Sequence, residues 1–172
     1  VTGNLRGDHS LVVGVNSRRL PDGVPVSDAD WFLYGGLTRS VWLVSVPTTY
    51  VRLAHAALRE TAQGERIEGR VVLDGPARAT TPVRVAIEGL GIALTLTPDS
   101  TGTATFSARP RGLVRWSPDA PLRYTMTTTA GADTLREAIG FRTIATRGTD
   151  ILLNGRSIYL RGISLHEEAI GE

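Results

Sequence analysis

The chain has no cysteine and no lysine among its 172 residues. Without cysteine it can form no disulfide, no thiolate nucleophile and no cysteine-based metal site. Its 19 basic residues are all arginine, and 17 acidic residues balance them to a formal net charge of +2. Because the arginines, apart from Arg18-Arg19, are scattered singly among acidic residues, the pattern does not predict a nucleic-acid-binding surface.

Long apolar runs are also missing. No stretch approaches the roughly 18 consecutive apolar residues that a membrane-spanning helix needs, and no secretion signal opens the chain. We therefore expect a soluble protein with no membrane partner. The compartment stays open, because the sequence also contains no Asn-x-Ser/Thr acceptor that would indicate a secreted glycoprotein.

Short runs of alternating apolar and polar residues dominate what is present. Residues 83–88 show the period of two that is typical of a half-buried strand. Similar runs occupy residues 11–15, 92–97, 103–108 and 122–128, and glycine and proline separate them. Many short strands between turn residues predict an all-β fold, in the form of an antiparallel β-sandwich.

Three further segments refine this prediction. Residues 53–60 and 134–138 are rich in helix formers, but each is short and lies among strands, so we predict strands there. Asn154-Gly155 lies between two apolar runs, and both residues tolerate the positive φ angles of a type I′ turn. A β-hairpin is therefore predicted at residues 151–160.

Three stretches of the chain resemble glycoside hydrolase family 2, the group of β-galactosidases, β-glucuronidases and β-mannosidases. The first covers residues 30–41, with an aspartate, aromatic residues, Gly-Gly, an arginine and a valine, and continues to 47–49. The second covers residues 116–124, which begin Trp-Ser-Pro-Asp, and leads to Gly-Phe-Arg at 140–142. The third covers residues 153–167. They occur in the order of the family and together extend over nearly the whole chain.

The resemblance implies a division into three parts. Residues 1–46 correspond to the C-terminal strands of the sugar-binding jelly-roll domain, and residues 47–145 to an immunoglobulin-like β-sandwich. Residues 146–172 correspond to a hairpin and the first strand of a (β/α)₈ barrel that would be truncated here, since such a barrel needs about 250 residues. The expected fold is therefore an immunoglobulin-like sandwich with flanking strands from a jelly roll and a barrel.

The chemistry of the family implies that catalytic residues are absent from this chain. A retaining glycosidase needs two carboxyl groups about 5–5.5 Å apart. Glu167 and Glu168 are neighbours on a predicted strand and would point to opposite faces, and the family's catalytic glutamates lie further along the barrel. We expect a non-catalytic scaffold segment of a glycosidase that is β-galactosidase-like or, as the second choice, β-glucuronidase-like.

Two residues match substrate-contacting positions of the family. Asp30 matches an aspartate that reaches the sugar from the jelly roll and that ligates sodium in some β-galactosidases. His166 matches a histidine at the end of the first barrel strand, where barrel sites gather. Without the resemblance, a turn aspartate and a structural histidine would be the simpler interpretations. We expect no cofactor in this chain, and sodium or magnesium only in a parent enzyme.

Three other residues are weaker candidates for substrate binding. Trp31 could border the sugar site, and Arg161 and Glu167 could form an ion pair that supports it. Trp31 also belongs to an aromatic cluster with Phe32, Tyr34 and Trp42, which we predict to fill a core. A strand is predicted at residues 38–46, directly after Gly35-Gly36.

The expected partners are a β-glycoside in the parent enzyme and the remaining enzyme domains, and self-association stays open. One alternative is a stand-alone immunoglobulin-like module for carbohydrate binding or adhesion. Another is a genuine short gene product. Order or disorder in the terminal strands would separate these hypotheses.

Overall fold

The computed structural model describes residues 10, 12–16, 18, 20–22, 36–37 and 39–164. These residues form ten strands and no helix, so none of them forms a helix that could cross a membrane. All ten strands lie in one compact unit, Ser45–Gly162. The strands are β1 Tyr50–Thr61, β2 Gly64–Asp74, β3 Val83–Ile87, β4 Ile92–Leu96, β5 Thr103–Ala108, β6 Tyr124–Ala130, β7 Asp133–Ile139, β8 Ile144–Arg147, β9 Asp150–Leu153 and β10 Arg156–Ile158. The prediction of an all-β fold is confirmed.

Seven of the strands make two antiparallel sheets. One sheet has the order β1–β2–β5 and the other the order β4–β3–β6–β7. In the constant-type immunoglobulin arrangement the fourth strand joins the sheet of the first, second and fifth. Here β4 pairs with β3 along its whole length, so the fourth strand lies on the opposite sheet.

One apolar core lies between these two sheets. It draws alternate residues from both, such as Val71 and Phe106 from the three-stranded sheet and Val85 and Met126 from the four-stranded sheet. Gly69 leaves room for the Phe106 ring, because a Cβ at residue 69 would lie 2.2 Å from a ring carbon. The absence of a side chain at Gly69 is therefore what admits the aromatic ring to the core.

Both segments that are rich in helix formers are strands, as predicted. Residues 53–60 lie in β1, which pairs with β2 over its full length apart from one irregularity between Val51 and Leu53. Residues 134–138 lie in β7, which pairs with β6. Pairing and burial of alternate residues, such as Leu58, outweigh the intrinsic helix preference of these segments.

The last three strands form a separate antiparallel sheet of order β10–β9–β8. Asn154 and Gly155 have φ angles of 52° and 80°, and Leu153 pairs with Arg156 across them. The Asn-Gly hairpin is thus confirmed, with the two-residue turn that its sequence favours. Among its apolar side chains Leu152 is buried, whereas Ile144 is 66% exposed.

Two other predicted strands are not observed. Strands were predicted at residues 11–15 and 38–46. The described residues of these two segments, 12–15 and 39–46, form no strand. Apolar alternation forms a strand only where a neighbouring backbone completes the hydrogen bonds, and these residues pair with none in the described part of the chain. The predicted core position of Trp42 is also wrong, since its side chain is 81% exposed.

Candidate functional site

Most of the predicted substrate-binding residues lie outside the described residues. This applies to Asp30, Trp31, His166 and Glu167, so their roles, and the sodium site at Asp30, stay predictions. Arg161 is described and exposed, and its guanidinium carbon lies 6.0 Å from the centre of the Tyr159 ring.

No metal site emerges from the described ranges, because they contain no group of three His, Asp or Glu side chains that could hold a metal ion. Two glutamates do come together, since Glu60 of β1 and Glu65 of β2 are direct partners in the strand register. Both carboxylates bind the guanidinium of Arg115. Their charge is therefore compensated by one shared cation, which is unlike the acid and nucleophile pair of a glycosidase.

The hydrogen bonds of Trp116, Asn154 and Arg115 join the sandwich to the hairpin sheet. We call the set of Arg115, Trp116, Gly140–Thr143 and Asn154 the junction. Trp116 donates its backbone N–H to the carbonyl of Phe141 at 2.8 Å. Since the Phe141 ring is buried in the sandwich core, this bond fixes the loop of residues 115–120 to the end of the last sandwich strand.

Asn154 connects the hairpin turn to two other segments. Its side-chain NH₂ group donates to the carbonyl of Trp116 at 3.0 Å, and its Oδ1 accepts the backbone N–H of Thr143 at 3.1 Å. Its backbone N–H also donates to the carbonyl of Thr143 at 2.9 Å. One residue in the left-handed conformation thereby makes both the turn and three bonds outside it.

Arg115 ties the same loop to the first hairpin of the sandwich. Its Nε donates to Glu65 at 2.7 Å and its other nitrogens reach Glu60 and the hydroxyl of Thr143. Burial alone would lower the pKa of Arg115, but hydrogen bonds and charge from Glu65 and Glu60 outweigh it and raise that pKa. The guanidinium bridges β1, β2 and the segment before β8.

The Trp116 ring is held in a narrow space. A Cβ at Gly140 would lie 2.8 Å from the indole Cδ1, so only glycine permits the ring to lie this close to the backbone. The Arg142 guanidinium lies 5.5 Å from the centre of the same ring, within the range of a cation–π contact. The ring is therefore positioned by the Gly-Phe-Arg segment that the sequence resemblance had marked.

Two open clefts flank the junction. One, of about 570 Å³, is lined by residues 55–60 of β1 and by 139–145. The other, of about 690 Å³, lies between the loop of residues 115–119 and residues 153–160 of the hairpin. Tyr159 and Leu160, which line the second cleft, are 85% and 69% exposed. The region combines fixed polar contacts with uncovered apolar side chains.

Sequence reasoning identified the segments of the junction but not its residues' roles. Asn154 was predicted only as a turn former, and Arg115 was not singled out. A local signal did exist for Asn154, because Asn is one of the few residues that adopts a positive φ and also carries a polar side chain. No local signal marks the Arg115 contacts, since Glu60 and Glu65 lie some 50 positions earlier in the chain.

Comparison with known proteins indicates relatives along most of the chain. No model of a known protein family matches it. The chain is 26% identical to the β-glucuronidase of Homo sapiens over 90% of its own length and 25% of the relative's. It is 28% identical to the β-galactosidase BgaC of Bifidobacterium adolescentis, over 83% of the chain and 15% of that enzyme.

Solved structures give the same result. A glycoside hydrolase family 2 β-galacturonidase from Eisenbergiella tayi, bound to galacturonate, superposes with a TM-score of 0.67 at 26% identity. The superposition covers 83% of this chain and 27% of that enzyme. The resemblance to glycoside hydrolase family 2 is thereby confirmed. The chain spans about a quarter or less of the length of these relatives.

Proposed function

We propose that this chain is a non-catalytic scaffold segment of a retaining glycoside hydrolase. In this role it would hold the sugar-binding domain against the catalytic barrel and present residues from both to a β-glycoside. The observation that carries the proposal is the junction, in which Trp116, Asn154 and Arg115 tie the hairpin sheet to the sandwich.

The position of the junction in the sequence supports this role. Strand β10 ends at Ile158, and the stretch with Arg161, His166 and Glu167 follows within a few residues. Because the hairpin is bonded to the sandwich at its turn, the sandwich sets the direction in which the chain leaves β10. A substrate-contacting group at residue 166 would need such a fixed approach, since small displacements of site residues weaken binding and catalysis.

Exposed apolar side chains support a second part of the proposal, contact with other enzyme domains. Ile144, Tyr159 and Leu160 are each more than 60% exposed, and all three belong to the hairpin sheet or directly follow it. Exposed large apolar side chains are candidates for contacts with other domains. The partner that we propose for these side chains is the remainder of the barrel.

The distribution of carboxylates supports the absence of catalysis. In the described part of the chain, Glu60 and Glu65 share Arg115, and Asp99 and Asp133 accept hydrogen bonds from backbone N–H groups. A retaining glycosidase uses one carboxyl group as acid and another as nucleophile, whereas these four carboxylates are engaged by an arginine or by backbone N–H groups of the sandwich. The relatives include β-glucuronidases, β-galactosidases and a β-galacturonidase, so a β-glycoside is the substrate class we propose for the parent enzyme.

A panel of chromogenic substrates tests this proposal. The purified chain would be assayed with nitrophenyl β-galactoside, β-glucuronide, β-galacturonide and β-mannoside, with an active β-glucuronidase as the positive control. We expect no turnover of any substrate by the chain. Turnover that follows the chain through gel filtration would contradict the proposal, because it would require a carboxylate pair that we have placed outside this segment.

A further inference from the structure

The outer face of the four-stranded sheet has an unusual composition. The residues of β3, β4, β6 and β7 that alternate with the core residues comprise five threonines, three alanines and two arginines. We call this surface the threonine face. Its arginines are Arg84 on β3 and Arg136 on β7, and both are exposed.

The two arginines of the threonine face form no ion pair within the described residues. Neither Arg84 nor Arg136 makes a salt bridge or a side-chain hydrogen bond to another described residue, in contrast to Arg115. The two carboxylates of β7, Asp133 and Glu137, occupy the alternate positions that point to the inner side of the sheet. The outward positions of all four strands thus carry cations and hydroxyl groups but no acid.

The spacing of the two arginines suits an extended ligand. Arg84 is the register partner of Thr129, and Arg136 is the partner of Thr127, two residues earlier on the intervening strand β6. With strands about 4.8 Å apart and about 3.4 Å per residue, their Cα atoms are about 12 Å apart along a diagonal of the sheet. Two guanidinium groups at that separation match a chain of linked units rather than a single small anion.

A shallow depression beside Arg84 is lined with hydroxyl groups. Ala86 and Ala93 are direct partners on β3 and β4, and their small side chains leave a depression of about 330 Å³. Arg84, Thr95, Thr127 and Thr129 line it. Threonine hydroxyls both donate and accept hydrogen bonds, as sugar hydroxyls require, and guanidinium groups bind carboxylates with two parallel hydrogen bonds.

We propose that the threonine face binds an acidic oligosaccharide, with the carboxylates of its uronic acid units on Arg84 and Arg136 and its hydroxyls on the threonines between them. This binding is non-catalytic and does not depend on the scaffold role proposed above. It would hold an acidic glycan on the sandwich of the protein, and weakly, because the contacts are exposed to solvent.

Titration calorimetry of the intact chain with tetragalacturonate tests the proposal. A neutral tetrasaccharide, cellotetraose, and a short polyglutamate serve as comparison ligands. We expect binding of tetragalacturonate, a reduction in affinity as salt is added, and at least severalfold weaker binding of both comparison ligands. If polyglutamate binds as tightly as tetragalacturonate, the face binds any polyanion. If cellotetraose binds as tightly, the arginines do not contribute to binding. Either result overturns the proposal.

Variants locate the site. Arg84→Gln and Arg136→Gln should each weaken tetragalacturonate binding about three- to fivefold, and the double variant about tenfold or more. The matched control is Arg70→Gln, which removes another exposed arginine, from the central strand of the opposite sheet. The control should bind like the parent chain. Loss of binding in Arg70→Gln equal to that in Arg84→Gln, or no detectable binding by the parent chain, would refute the assignment of this face.

Discussion

The sandwich and the hairpin sheet of this chain are held in place by different forces. The seven strands of the sandwich enclose one apolar core, in which Ile67, Val83 and Leu90 are fully buried. The three strands of the hairpin sheet bury little, and Leu152 is their one residue among the buried hydrophobic side chains of the described chain. Their position depends on directed bonds from Asn154 and on the loop that Arg115 anchors.

This difference shows how a small sheet can be positioned without a hydrophobic core of its own. Apolar burial stabilises in proportion to the buried area but is not directional, so it constrains the orientation of a sheet only weakly. Hydrogen bonds to fixed carbonyls have a preferred geometry and therefore constrain that orientation. The sandwich therefore supplies stability and the junction supplies orientation. Phe141→Ala and Asn154→Ala test whether these two contributions are separable.

The largest effect is expected from Phe141→Ala, which removes a core side chain of the sandwich and keeps the backbone carbonyl that Trp116 binds in the junction. The ring is 1% exposed and packs against Tyr124 at 6.0 Å between ring centres. Its removal should lower the free energy of unfolding by about 3–5 kcal/mol, as large-to-small core changes do. Urea unfolding followed by tryptophan fluorescence measures this loss. Phe141→Leu keeps most of the side-chain volume, so it should lower the free energy of unfolding clearly less. Equal losses in the two variants would argue against a cavity as the cause.

The second effect concerns the junction and should stay local. Asn154→Ala removes two side-chain hydrogen bonds and puts alanine, which tolerates a positive φ less well than asparagine does, at a φ of 52°. The free energy of local opening of β8, β9 and β10, measured by amide hydrogen exchange, should therefore fall by about 2–4 kcal/mol. Asn154→Gly keeps the turn and loses only the bonds, so its effect should be smaller. If amide exchange in β3 and β6 accelerates as much as in β8, β9 and β10, the sandwich and the hairpin sheet do not open independently.

A third change should stabilise the sandwich. Thr128 is fully buried, and its hydroxyl has no hydrogen-bond partner in the described structure. Thr128→Val removes this unpaired group while keeping the branched shape, and should raise the free energy of unfolding by about 1 kcal/mol. Thr127→Val on the outer face of the same strand is the matched control and should change it little. Destabilisation by Thr128→Val would mean that the hydroxyl has a partner in solution.

The smallest effect is a pH dependence at the turn between β4 and β5. The Thr101 hydroxyl, with the backbone N–H of Thr103, holds the pKa of Asp99 below its ordinary value of 3.8. A carboxyl with a lowered pKa in the folded state stabilises above its unfolded pKa, and this contribution is lost as the pH falls through the folded pKa. Stability should thus decline slightly as the pH drops below about 4.

Asp99→Asn is the test of that pH dependence. The amide cannot ionise, so the difference in stability between the parent chain and the variant should shrink as the pH is lowered. Chemical unfolding of both proteins at about pH 5 and about pH 3 measures it. A difference that is the same at both pH values would show that the charge of Asp99 does not contribute.

Several strands of the sandwich and the turn of the hairpin sheet could be predicted from sequence because their signals are local. Alternation marked residues 83–88 and 103–108, and Asn154-Gly155 marked a turn, and each of these signals depends only on neighbours in the chain. The same alternation at residues 39–46 gave a wrong prediction. A strand also needs a partner, and pairing is not a local property.

The candidate site was less predictable for a related reason. Trp116 and Gly140–Arg142 were noted through the family resemblance, but what each residue does became clear only from distances. Arg115 reaches Glu65, and Asn154 reaches Trp116, across separations of 50 and 38 positions. Contacts of this kind arise from how the sheets pack, which a single sequence does not encode in any short pattern.

The central claim is that the junction holds the hairpin sheet in one orientation on the sandwich. The absence of cysteine allows two spin labels to be placed without background, at Thr105→Cys on β5 and Ser157→Cys on β10. Pulsed electron resonance then measures the distribution of distances between them, with Thr105→Cys and Thr134→Cys as a pair inside the sandwich.

We expect the distribution for residues 105 and 157 to be as narrow as that for residues 105 and 134, and to broaden when Asn154→Gly is added. A broad distribution in the chain with Asn154 intact, beside a narrow one for the sandwich pair, would contradict the account.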